Sequence, residues 1–191
     1  MAISDMDFRQ FSRVFKGRWV SLVGLLNHDK WAHLCTDGTV NLTTSFAAAG
    51  EVLQNHLGEW ILGFNQFLGV CSAFEVELWG ILDGLSILQE REVNRILIQI
   101  DSLEAVLAIQ GIISTNPNSV LIRHIQILLQ DKDHWVLRHI SREANHVVDQ
   151  ISKMAPTDLE GVQNLTTAPL ELIEILDCDK SSGAFNIVNI A

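Results

Sequence analysis

The stretch "SAFEVELWGILDGLSILQEREVNRILIQID", residues 72–101, decides the fold. Its first part places Phe74, Leu78, Ile81, Leu85 and Leu88 in one apolar stripe. That spacing predicts a helix of about four turns over residues 72–90, with Ser72 as its N-cap. Its last part, "RILIQID" (95–101), is dense in β-branched residues on both faces. A strand apolar on both faces is expected in the interior of a sheet, with parallel neighbours. A helix leading into such a strand implies a crossover connection and an α/β fold.

Upstream, "WAHLCTD" (31–37) alternates, with Trp31, His33, Cys35 and Asp37 on one face, and reads as a strand. "TSFAAAGEVLQN" and "GEWILGFNQFLG" read as two more, separated by a turn around His56-Leu57-Gly58. Links this short imply an antiparallel meander. Downstream, "SLEAVLAIQGI" and "VLIRHIQILLQ" have helical spacing, broken by "STNPNS" with Pro117 near the second helix's start. "HWVLRHI" (134–140) is a fifth strand and "REANHVVDQISKMA" (142–155) a closing helix. The expected order βββαβααβα makes a mixed five-stranded sheet, three antiparallel strands followed by two parallel ones, with helices on both faces.

A chain of 191 residues, 48% apolar and 19% charged, suits one globular domain. Residues 31–155 form the expected domain, 1–30 an N-terminal extension, and 156–191 a C-terminal extension that is partly helical or disordered. The net charge of −10 divides into +2 for residues 1–30, −7 for 31–154 and −5 for 155–191. An acidic body argues against charge-driven binding of bare nucleic acid, so a nucleic-acid enzyme built this way needs metal ions or a basic partner. Cys35, Cys71 and Cys178 match neither a disulfide framework nor a zinc pattern, which favours a reducing compartment. No apolar run approaches a membrane span. Phe8, Phe11, Phe15, Trp19 and Leu22 fall on one helical face, as in an organelle-targeting helix, while Asp5 and Asp7 count against targeting. A docking helix and a nuclear or cytoplasmic location are the preferred expectation.

The acids carry the chemistry. Asp37 ends the first strand and Asp101 the fourth. If these strands are parallel neighbours, both carboxylates emerge at the carboxyl edge of the sheet, where open α/β sheets bind ligands. Paired carboxylates repel unless a cation or a shared proton relieves them, and magnesium is the hard ion that prefers oxygen ligands. Glu75 and Glu77 flank the apolar stripe on opposite edges, and periodicity does not choose between them. Asp83 points away from the stripe, as a solvated acid would. In the closing helix, Ala144, Val147, Val148, Ile151 and Ala155 make the expected buried face, with Asp149 nearly opposite and exposed.

"CTDGTV", "FEVELWGILDGL", "IQIDSLEAV" and "HISREANHVVDQISKMA" occur in this order, and the chain from about Trp31 to Ala155 resembles a type 1 ribonuclease H domain. It is most similar to the reverse-transcriptase-like domains of plant retroelements. The resemblance implies a catalytic, metal-binding quartet of Asp37, Glu77, Asp101 and Asp149, so it selects Glu77 over Glu75. It also implies a catalytic role for His139 and substrate contacts at Gly38 and Asn145. "GEVLQN" departs from the family pattern: Glu51 adds charge, while Gln54 and Asn55 replace charged residues. A basic, substrate-gripping helix is absent, since 103–130 contains only Arg123.

The implied reaction is two-metal hydrolysis of the RNA strand of an RNA–DNA hybrid, with two magnesium ions, or manganese in their place, about 4 Å apart. The expected protein is a monomer that takes hybrid nucleic acid, with a protein partner supplying basic surface. Two alternatives stand beside this: a domesticated, catalytically weak binding module, and a decayed retroelement fragment.

Overall fold

The computed structural model describes residues 31–113, 120–159 and 161–181; the expected N-terminal docking helix and Pro117 lie outside the described residues. The elements are β1 (Ala32–Val40), β2 (Phe46–Gln54), β3 (Trp60–Val70), α1 (Ala73–Glu90), β4 (Arg95–Ile100), α2 (Leu103–Ile109), α3 (Val120–Gln130) and β5 (His134–His139). A 3-10 turn (Arg142–Asn145), α4 (His146–Lys153), β6 (Val162–Leu165), a second 3-10 turn (Leu170–Leu172) and α5 (Ile173–Ser181) follow.

The sheet has six strands, not the expected five, in the order β5-β4-β1-β2-β3-β6. β1 is parallel to β4 and β4 to β5, whereas β1, β2 and β3 form the antiparallel meander. The extra strand, β6, pairs antiparallel with the outer edge of β3. Only four residues long and half polar, it carries no local strand signal; the exposed ladder of β3 supplies it.

Alternation along β1 sends Ala32, Leu34 and Thr36 toward α1, and His33, Cys35 and Asp37 toward α4. The larger core lies on the α1 side and includes Leu34, Ile81, Leu85, Ile96 and Ile98. A smaller one on the α4 side joins Val52, Val147, Val148 and Ile151 to Leu172 and Leu176. The closing helix is shorter than expected. Residues 142–145 wind as a 3-10 turn, Ala144 is exposed and Ala155 half-buried.

Candidate metal centre

Thr36 and Ile100 are register partners in the parallel β1–β4 pair. The next residue along each chain is an acid, so Asp37 and Asp101 stand side by side where the β1–β4 pairing ends, while β1 continues to Val40 against β2. Glu77 comes from the second turn of α1, which crosses directly over β1 at Gly38. A Cβ on Gly38 would fall 2.5 Å from Val76 Cγ1 and 3.1 Å from the Glu77 nitrogen. The glycine therefore permits the approach, and its N–H donates to the Glu77 carboxylate. One carboxylate oxygen each from Asp37, Glu77 and Asp101 lie within 4.8 Å of one another.

Glu75 is occupied elsewhere. Its nitrogen donates to Ser72 Oγ at 3.2 Å, and its Oε2 accepts from the Ser72 nitrogen at 2.9 Å. This reciprocal capping box explains both acids near the helix start: one closes the helix end, the other faces Asp37.

α4 brings the fourth acid. It packs on β2 at Gly50, where a Cβ would collide with the backbone of Ser152. Ser152 Oγ lies 3.2 Å from Asp37 Oδ2 and 3.0 Å from the Asp149 carbonyl, tying the two elements together. Asp149 is 8% exposed, not solvated as the helical wheel suggested. Its outward face borders the other acids, and its charge acts on Asp37. It stands outside the close trio, however, and its Oδ2 accepts from Lys153 Nζ at 2.6 Å.

Without a cation the cluster resists ionisation. Burial, then the charges of Asp101 and Asp149, push Asp37 up to about 7, against weaker opposition from the Ser152 hydroxyl and Arg142. Burial, then Asp37 and Asp101, push Glu77 from the ordinary 4.5 to about 9, opposed by the Gly38 N–H and Arg142. Glu77 Oε2 is buried with no hydrogen-bond partner. An orphaned carboxylate oxygen beside two further carboxylates fits a hard divalent cation, which would supply the missing partner and the missing charge.

Asn145 Nδ2 donates to the Thr36 carbonyl at 2.9 Å and reaches Asp101 Oδ1 at 3.4 Å, bracing β1 and β4 together. His139 Nε2 lies 3.1 Å from the Asp101 carbonyl, exposed at the rim. Asp83 corrects the sequence reading: it is fully buried, because α1 is covered by the sheet on one side and α3 on the other. It lies near Glu51, also fully buried, over Gly80, and burial raises both carboxyls well above their usual range. Nothing in the apolar pattern marked either residue, nor Ser152.

A family model described as reverse transcriptase-like matches residues 35–155. An Arabidopsis thaliana protein named "Putative ribonuclease H protein" is 38% identical over 128 residues, 65% of this chain. The chain spans 20% of that relative's length. Among solved structures, RNase H1 from the halophilic archaeon Halobacterium salinarum superposes with a TM-score of 0.61 at 22% identity, covering 68% of this chain and 99% of that one. LC11-RNase H1, solved in complex with an RNA/DNA hybrid, gives 0.59 at 19% identity over 65% of this chain and 95% of its own. Both establish a shared fold.

Proposed function

Because the chain belongs to the reverse transcriptase-like family and has an RNase H-like fold, we propose that it hydrolyses the RNA strand of RNA–DNA hybrids. The observation that carries this reading is the convergence of Asp37, Glu77 and Asp101 within 4.8 Å, with Glu77 Oε2 unpartnered. Such a site is costly to build for stability alone, since each buried carboxylate opposes the next.

In this reading Asp37, Glu77, Asp101 and Asp149 hold divalent cations, with Asp149 released from Lys153 to do so. Two magnesium ions, or manganese, would neutralise the scissile phosphate, activate the attacking water and stabilise the leaving 3′-oxygen. Ser152 and the Gly38 N–H hold the Asp37 and Glu77 carboxylates in place. Asn145 keeps the two strand ends in register and, with Gly38, lies where a hybrid backbone would pass. His139 has its ring at the solvent rim, positioned to carry a proton to or from the departing strand. Residues 31–155 form the catalytic domain, acting as a monomer; the acidic charge makes a basic protein partner the source of additional grip on the hybrid. A retroelement ancestry agrees with the family.

A catalytically weak binding module is the second reading, favoured by the 2.6 Å Lys153–Asp149 pair, which competes for one ligand. The two separate in a cleavage assay on a labelled hybrid, with magnesium or with chelator. The nuclease reading expects magnesium-dependent cutting of the RNA strand and none of duplex DNA. Intact hybrid in both magnesium and manganese would refute it.

A further inference from the structure

On the α4 face of the sheet lies a cavity of about 250 Å³, lined by none of the close acid trio. Strand register sets its floor: Val52 pairs with Cys35, Cys35 with Gln99, and Gln99 with Arg138. Gln54 extends the floor, and Val147 of α4 and Leu176 of α5 are among the apolar walls.

Three polar side chains of this floor keep hydrogen-bonding capacity that no described residue takes up. Gln99, 4% exposed, accepts from Cys35 Sγ at 3.6 Å through Oε1, leaving its Nε2 unpartnered among the described residues. Gln54, 3% exposed, donates its Nε2 to the Gly58 carbonyl at 3.1 Å, leaving Oε1 unpartnered there. The Arg138 guanidinium makes no hydrogen bond or ion pair with any described residue, and its charge opposes protonation of His33. Neither amide end is closed off from solvent, so water serves it until a ligand takes its place, and a guanidinium presents a planar fork matched to a carboxylate.

We infer that this cavity binds a small organic carboxylate, its acid group on Arg138 and Gln99 and its apolar body against Val52, Val147 and Leu176. The volume, below the roughly 300–1,000 Å³ of drug-sized pockets, suits a ligand of about one ring and a short acid arm. Of the acids assigned to the metal centre none lines it; Asn145 alone is shared, so the site stands or falls independently of the nuclease reading.

The test uses the full chain with 3-phenylpropionate, its uncharged amide 3-phenylpropanamide, and inorganic phosphate, read by thermal melts and calorimetric titration. At about tenfold excess over its dissociation constant, the carboxylate should raise the melting temperature by roughly 3–6 °C. The amide should bind at least tenfold more weakly, on the loss of a charge-assisted pair. Arg138→Gln should abolish the carboxylate response, and Gln99→Leu should weaken it. Equal binding of acid and amide, a response to phosphate as large as to the carboxylate, or an unchanged response in a folded Arg138→Gln variant would overturn the inference. Should Arg138→Gln fail to fold, the comparison of acid with amide on the parent chain decides.

Discussion

Replacing Glu77 with Gln should stabilise the metal-free protein, and the gain should depend on pH. The folded carboxyl holds its proton up to about 9, while the unfolded one loses it near 4.5. Stability from this group is therefore full below about pH 4.5 and is lost as pH rises toward 9, because the unfolded chain gains from ionising first. At ~1.4 kcal/mol per pH unit, the loss by pH 7.5 is at most about 4 kcal/mol. Glu77 is half-buried beside the Asp37 carboxyl, and solvent screening reduces the figure to about 2 kcal/mol. Gln mimics the neutral acid and escapes this loss. In chelator at pH 7.5 the variant should melt roughly 4–8 °C above the parent, and at pH 5 the two should nearly coincide. Magnesium should close the gap by stabilising the parent more, since it binds the native cluster and not the unfolded chain. A variant less stable than the parent at pH 7.5 without metal, or a gap that ignores pH, would refute the reasoning.

Glu75→Gln should leave hybrid cleavage within a few-fold of the parent and cost less than about 1 kcal/mol in denaturant melts, because Gln also completes a capping box. Gly38→Ala should cost roughly 1–3 kcal/mol by overpacking against Val76, and should cut turnover more than its stability loss explains by shifting Glu77 away from Asp37. Leu176→Ala should lower stability by roughly 2–3 kcal/mol with magnesium-dependent cleavage retained, since Leu176 packs in the smaller core and touches none of the acids. Loss of cleavage in a folded Leu176→Ala protein would contradict that separation.

The mixed character of the sheet was legible because "RILIQID" is apolar on both faces and follows a helix, which leaves it only an interior, parallel place. Asp37 and Asp101 were legible as neighbours just past the β1–β4 pairing, although β1 does not end at Asp37 as expected but runs on to Val40 against β2. The two misplaced helical acids share one cause: the helical wheel assumes a single solvent face. α1 has sheet on one side and α3 on the other, so Asp83 is buried where polarity said it was exposed. α4 has core on one side and the acid cluster on the other, so Asp149 looked solvated and is nearly closed off. β6 was invisible because its pairing depends on the free edge of β3, 98 residues earlier at the Asn65–Gln163 pair, and not on its own composition. Ser152, which joins Asp37 to α4, is chemically ordinary in sequence and acquires its role only from the close approach at Gly50.

The most direct measurement is single-turnover cleavage of a 5′-labelled RNA–DNA hybrid in magnesium by the parent and by Glu77→Gln, each verified as folded by its melt. The account predicts RNA products from the parent that vanish with chelator, and at least a thousandfold slower cleavage by the variant despite its greater metal-free stability, a loss of about 4 kcal/mol of transition-state stabilisation. Cleavage by the folded variant at the parent's rate would contradict the assignment of the acid cluster as the catalytic centre.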